Sequence, residues 1–353
     1  MDRNMYKWLE NMKNAKVKKP LPILSFPAVQ LAGITVSDLV RSGEKQAECM
    51  KLVADRCDAA ASVSMMDLSV EAEAFGAAVR FSDDEIPTVT GRLIETAEQA
   101  QALEVPEIGA GRTGEYLKGA RLASQKIADR PVFGGVIGPF SLAGRLMGMT
   151  DIMVQCFTEP ETVRVVLEKA AEFIAKYVLA YKEAGASGVV MAEPAAGLLS
   201  PKMNDEFSTA YVRGIIEAAQ DERFLVIYHN CGNTIPLVKS LLANGAKAYH
   251  FGNAIDMLEM LKLMPPDKVV MGNVDPSGRF MGGTPETVYT ATTELMERCG
   301  GYSNWVPSSG CDIPPRASWE NIDAFFRAVK DYYASHNVVE LNTDKGNVKL
   351  GAG

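Results

Sequence analysis

Histidine and cysteine are both scarce in this chain: 353 residues contain three histidines and six cysteines. The cysteines are scattered and fit no disulfide framework, so each is expected to be buried packing, a metal ligand or a catalyst. No run of about 18 apolar residues occurs, which removes a membrane-spanning helix. Basic clusters are missing too, and the formal charge is −8. Such a surface matches a phosphate backbone poorly, so nucleic acid is not an expected partner. Gly134, Gly135 and Gly138 have neither P-loop nor dinucleotide-binding spacing. Residues 1 to 19 lack the apolar stretch of an export signal and predict a short amphipathic helix. The reducing cytoplasm is the expected compartment, and self-association into a homo-oligomer is left open.

What the chain does have is apolar residues, 47% of the total, enough for a sizeable core. From residue 131 onward, short β-rich runs alternate with helical stretches. The runs are PVFGGVI (131 to 137), SGVVMAE (187 to 193), FLVIYHN (224 to 230), AKAYHFG (246 to 252), KVVMGNV (268 to 274) and YSNWVP, ending near Pro307. Between the first two, Val166, Ala170, Phe173, Tyr177 and Tyr181 recur at helical spacing over residues 160 to 184. Thr158 and Glu161 make a capping-box pattern at its start. Ser200, Thr284 and Ser318 are expected as further helix caps, with Pro201 and Pro285 at first helical positions. The last helix is expected to reach about Ala334.

Six β-then-α units in a row demand parallel strands. Residues 37 to 58 (helix), 59 to 65 (strand) and 96 to 129 (helices) offer two more. The fold expected is an α/β (β/α)8 TIM barrel with an N-terminal helical extension over residues 1 to 20. It forms a single domain over 1 to 353, ending in a polar tail from 337 to 353. A doubly wound open sheet is the alternative.

In a parallel barrel the reactive groups collect at the carboxyl ends of the strands. Those ends hold Glu193, His229, Cys231, His250, Asn253, Asn273, Asp275 and Cys311. Residues i and i+2 of an extended segment point to one side, so His229 and Cys231 can face one ion. Cys311 lies just past the last strand. Three N/S ligands with a vacant fourth position describe a catalytic zinc site. The competing reading makes the two cysteines packing residues and His229 a hydrogen-bonded core group. Glu193 is a candidate ligand, general base or loop anchor. His250 is expected to satisfy a local hydrogen bond, and Asp275 to cap a turn before Pro276. Asp67, Glu71 and Glu73 are either a solvated helix face or part of the opening.

Several segments together resemble the uroporphyrinogen decarboxylase superfamily, and within it the methylcobamide:coenzyme M methyltransferase branch. They are DLSVEAEAFGA (67 to 77), GPFSLAGRLMG (138 to 148), HNCG (229 to 232), GNVDPSGRFMGGTPETV (272 to 288) and SSGCDIPPRASWENI (308 to 322). The resemblance implies a zinc-dependent methyltransferase whose metal ligands are His229, Cys231 and Cys311, with Glu193 orienting or deprotonating the thiol. It implies a methyl group passing from methylcobalamin, carried by a partner corrinoid protein, to a small thiol resembling coenzyme M. The chain has no Asp-x-His-x-x-Gly cobalamin motif of its own. A sulfonate acceptor needs a cation, for which Arg80, Arg145 and Arg316 are available. Two other readings remain: a metal-free decarboxylase-like lyase, and a non-catalytic barrel that binds metal or corrinoid. Against the lyase, residues 26 to 33 carry none of the arginines expected of a porphyrinogen decarboxylase.

Overall fold

The computed structural model describes residues 3 to 346. Its strands are β1 (Ser62–Val63), β2 (Ala78–Arg80), β3 (Thr88–Thr90), β4 (Val132–Ile137), β5 (Gly188–Ala192), β6 (Leu225–Asn230), β7 (Ala248–Phe251), β8 (Val269–Val274) and β9 (Trp305–Ser309). Seven of them form one parallel sheet in chain order, β1-β4-β5-β6-β7-β8-β9, while β2 and β3 pair as a separate antiparallel hairpin. Every residue of β4 to β9 is buried. Strands covered on both faces read as continuous apolar runs, which is how the sequence signalled them.

The two faces of the sheet pack differently. Leu225, Ile227, Val190, Ala248, Met271 and Val306 meet in one cluster with Phe133 and Val63, so the sheet curls around a shared interior. Met5 and Leu9 of the first helix, Met5–Asn14, join that cluster from one end. The alternate residues, among them Val189, Met191, Val226 and Tyr228, pack outward with the helices. The longest helix between two strands, Pro160–Glu183, contributes Val166, Phe173, Tyr177 and Tyr181 to this layer.

The outer strands β1 and β9 are joined through residues 20 to 24. The Leu21 amide donates to the Pro307 carbonyl at 2.9 Å, and the Ala60 amide donates to the Pro20 carbonyl at 2.9 Å. Lys18 Nζ adds bonds to the carbonyls of Tyr302, Ser303 and Trp305 at 3.1, 2.6 and 2.8 Å. Residues 37 to 129, expected to supply two further units, contribute only β1 to this sheet, so among the described residues it has seven strands rather than the eight expected.

Several local expectations hold. Ser200 accepts from the Met203 amide, Thr284 forms a reciprocal capping box with Thr287, and Ser318 accepts from the Asn321 amide. The capping box at Thr158 does not form. Thr158 is still the last residue of a preceding helix, Met149–Thr158, and its hydroxyl donates back to the Val154 carbonyl. The expected helix over 37 to 58 is split into Val36–Val40 and Gly43–Arg56, because Ser42 starts a new helix by accepting from the Lys45 amide. The final helix, Trp319–Gly346, runs past Ala334 into the segment read as a polar tail. Residues 347 to 353 of that tail lie outside the described residues. Among the described residues, no helix is long and apolar enough to cross a membrane.

Close strand packing leaves no room at Gly188. A Cβ there would lie 2.3 Å from the Leu225 carbonyl oxygen and 2.6 Å from the Phe133 ring. Gly188→Ala is expected to destabilise the protein by about 2–3 kcal/mol through overpacking, read as a lower midpoint in urea unfolding.

Candidate metal centre

The alternation along β6 that buries Leu225 and Ile227 in the interior carries His229 to the same side. His229 is 1% exposed. Parallel pairing sets it level with Ala192 of β5 and His250 of β7. Cys231 follows immediately beyond the strand, and Cys311 follows β9. The ligand atoms of His229, Cys231 and Cys311 all lie within 4.8 Å of one another. Cys311 Sγ is 3.5 Å from His229 Nε2. Both cysteines are partly accessible. Among the described residues this is the group of three or more His, Cys, Asp or Glu side chains close enough to hold an ion.

The backbone around the cluster is fixed by close contacts. Gly252, just past β7, stands so near Cys231 that a Cβ would lie 2.5 Å from the Cys231 Cα. Asn230 holds the turn between the two ligands: its side-chain amide donates to the Glu193 carbonyl at 2.7 Å, and its oxygen accepts from the Gly232 amide at 2.8 Å.

A hydrogen-bond chain sets which nitrogen of His229 is free. The Ser308 hydroxyl donates to the Leu21 carbonyl at 2.6 Å, so its oxygen accepts from His250 Nε2–H at 2.8 Å. His250 Nδ1 is then an acceptor, and His229 Nδ1 lies 2.8 Å from it and 3.2 Å from the His250 carbonyl. His229 must therefore carry its proton on Nδ1, leaving the Nε2 lone pair towards Cys311. Burial, with His229 beside it, holds the His250 pKa well below the usual imidazole value, so His250 stays neutral. His250 thus plays the hydrogen-bonding part expected of it, and its partner is the candidate ligand itself.

A hydrogen bond from Cys311 holds the Cys231 thiol down at about 4 against burial. The same contact, together with burial, pushes Cys311 well above the usual thiol range. Burial pushes Cys49, Cys57, Cys156 and Cys299 up to about 11 or 12. A low-pKa thiolate beside a thiol and an imidazole lone pair is a donor set suited to a soft or borderline cation such as zinc.

Glu193 points elsewhere. It is fully buried, and its two carboxylate oxygens accept the amides of Phe140 (3.1 Å) and Ser141 (2.6 Å) at the start of the helix Pro139–Met147. Burial raises its pKa to about 7 against the pull of Ser141 and the Phe140 amide. The acidic segment after β1 is not a solvated face. Asp67 and Glu71 are buried, and Asp67 accepts from Arg112, from Tyr116 OH at 2.9 Å and from the Ser69 hydroxyl and amide. Arg112 also pairs with Glu73. Asp312, next to Cys311, accepts from the Met66 amide at 3.1 Å and so ties this region to the cluster. Asp275 caps a turn, accepting from the Ser277 and Gly278 amides. The sequence had not marked Arg112, Ser308 or Asp312. Strand alternation would have placed His250 and Ser308 on the His229 side, but Arg112 sits in a loop without periodicity.

Two outcomes are expected. His250→Phe removes the partner of His229 Nδ1 and is expected to weaken zinc binding by about 10- to 100-fold, measured by competition with a chromogenic chelator. In metal-free protein, iodoacetamide is expected to modify Cys231 at a nearly constant rate from pH 6 to 8, followed by peptide mass mapping. An unperturbed thiol would gain roughly tenfold per pH unit below its pKa.

The uroporphyrinogen decarboxylase (URO-D) family model matches residues 23–332. The methylcobamide:CoM methyltransferase MtbA of Methanosarcina mazei is 26% identical over 75% of this chain and 78% of its own. A uroporphyrinogen decarboxylase of Pseudoalteromonas translucida is 26% identical over 59% of this chain and 60% of its own. The solved structure of a methyltransferase from Methanosarcina mazei superposes with a TM-score of 0.83 at 21% identity, covering 94% of this chain and 100% of that one.

Proposed function

Because this chain belongs to the uroporphyrinogen decarboxylase (URO-D) family and gathers an imidazole and two thiols at its strand ends, we propose that it is a zinc-dependent methyltransferase. The methyl group comes from a methylated corrinoid on a partner protein and goes to a small thiol of the coenzyme M kind. The observation that carries this reading is the donor cluster, three ligand atoms within 4.8 Å. The name of the Methanosarcina mazei relative supports the donor and acceptor. The missing arginines in residues 26 to 33 speak against porphyrinogen decarboxylation.

His229, through Nε2, and the sulfurs of Cys231 and Cys311 would hold the ion. When bound, zinc supplies the positive charge that keeps a thiol ionised at neutral pH, where a free thiol is only roughly 3% thiolate. The chain's own contribution is orientation. The Ser308–His250–His229 relay fixes the imidazole, and Asn230 and Gly252 fix the Cys231 backbone. Glu193, with both oxygens committed to backbone amides, supports an orienting role by holding the helix Pro139–Met147 against the loop after β5. In the transfer the thiol sulfur forms the new S–C bond, the Co–C electron pair remains on cobalt as Co(I), and the thiol proton leaves to solvent.

The same reading includes the whole fold. Residues 20 to 24 serve as the eighth stave that closes the seven-stranded sheet into a (β/α)8 barrel, a single domain whose open end receives the corrinoid partner. The cytoplasm is its place of work.

Metal analysis of the purified protein is expected to find about one zinc per chain, lost in Cys231→Ser and Cys311→Ser while circular dichroism stays unchanged. With methylcobalamin and a panel of thiols, Co(I) absorbance is expected to appear with the wild type and to fall by at least about 100-fold in both variants. A folded, zinc-free, active protein would overturn the proposal.

A further inference from the structure

A cleft of about 290 Å³ lies at the end of the sheet opposite the donor cluster. The helix Met5–Asn14, residues 17 to 19 and the turns leading into β1 and β4 form its walls, with Val306 near the start of β9. Two kinds of group line it. Trp8, Met12, Pro131 and Val306 make one part apolar, while Arg3, Lys18, Lys19 and Arg130 set four cations against a single carboxylate, Asp129. On a chain of formal charge −8 this is a local reversal of sign.

Part of that charge is unanswered. Lys19 pairs with Asp58 at 2.6 Å and Arg130 with Asp129 at 2.7 Å, but Lys18 and Arg3 have no ion-pairing partner among the described residues. Lys18 is 8% exposed, and its Nζ bonds only to the carbonyls of Tyr302, Ser303 and Trp305. Arg3 bonds to the Ala128 carbonyl. Carbonyl dipoles satisfy N–H groups but carry no net charge, so a buried ammonium held in this way still lacks a counter-ion. Burial pulls the Lys18 pKa down to about 8. With its three N–H groups spent, Lys18 attracts an anion by charge alone. Direct bonds fall to Arg3, whose guanidinium has N–H groups to spare, and to Asn11, whose side-chain amide has no partner among the described residues.

We infer that this cleft is a binding site for a small aromatic anion, a carboxylate or a phosphate ester, with its ring against Trp8 and Met12 and its acid group towards Arg3 and Lys18. An indole and a thioether both suit contact with a flat ring, and charge-assisted N–H···O bonds suit either oxyanion. The volume lies just under the range of roughly 300–1,000 Å³ typical of drug-sized ligands, which fits one ring and one acid group. Such a ligand holds the helix Met5–Asn14 to the turns before β1 and β4, and so stabilises the fold from the end remote from His229, Cys231 and Cys311. The site stands independently of the thiol-methyltransferase reading.

The test titrates the full chain with phenyl phosphate, benzoate, inorganic phosphate and neutral benzyl alcohol. Binding is followed by calorimetry and by the emission of Trp8, the half-buried tryptophan beside the buried Trp305 and Trp319. Phenyl phosphate and benzoate are expected to bind once per chain, to change that emission and to raise the thermal midpoint. Benzyl alcohol and inorganic phosphate are each expected to bind at least about tenfold more weakly, since each lacks one of the two recognised parts. Ala15→Leu, which fills the cleft, and Arg3→Gln, which removes a cation, are each expected to weaken phenyl phosphate binding at least about tenfold. Circular dichroism checks that each variant is folded, and Arg3→Gln keeps the test decisive should Ala15→Leu unfold. A preference between phenyl phosphate and benzoate assigns the acid group, and either order upholds the site. Failure of both aromatic anions to bind, equal binding of benzyl alcohol or inorganic phosphate, or unaltered binding in either folded variant would overturn it.

Discussion

The in-register parallel pairing of β6 with β7 is the constraint on which the rest of the centre depends. It puts His229 beside His250, and the turn of the sheet brings Ser308 of β9 within reach of the second ring. Each polar group in that row has its proton assigned by its neighbour, ending on a main-chain carbonyl at Leu21. A row of this kind tolerates no vacancy, since a buried donor left without an acceptor costs about 1–3 kcal/mol. The result is an imidazole with one defined tautomer and orientation before any ligand arrives. Pre-set ligands are what a metal site needs if binding is not to spend its free energy on ordering side chains.

Around this rigid row the structure carries groups whose burial is unfavourable. Glu71 Oε2 and Asp312 Oδ1 are buried without a hydrogen-bond partner among the described residues. Burial raises the pKa of Glu71 to about 8 and that of Asp312 well above the carboxylate range. Holding a proton lessens the penalty for each. The half-buried Arg145 cannot escape in this way, because a guanidinium does not give up its proton near neutral pH. These unfavourable groups gather where β1 and β9 end, whereas the far end of the interior is closed by apolar Met5 and Leu9. The contrast fits a scaffold whose stability resides at one end and whose chemistry resides at the other.

Much of this was legible in the sequence, for identifiable reasons. Strands β4 to β9 are continuous apolar runs set apart by capped helices, so their positions and parallel sense followed directly. His229, Cys231 and Cys311 were legible because strand ends converge and scarce residue types stand out there. The two-residue β1 was too short to give a pattern, and the hairpin β2–β3 is mostly exposed, with little apolar alternation to see. Residues 20 to 24 read Pro-Leu-Pro-Ile-Leu. Proline offers no amide for a ladder, so the segment looks unlike a strand even though it bonds to both sheet edges. Glu193 was correctly placed at a strand end, but only coordinates show its oxygens turned to a helix start rather than to the sulfurs.

That seam between residues 18 to 24 and β9 joins parts of the chain 284 or more residues apart. A ribosome delivers the first of these partners long before the last, and the early one must wait, exposed, while the intervening strands assemble. Contacts of such long range are the slowest to form, because the loop they close is nearly the entire polypeptide. The Ser308 bond that anchors the histidine row belongs to this late event. The imidazole and the two thiols therefore reach their final arrangement at the end of folding, and a nascent or half-assembled chain does not present the finished donor cluster.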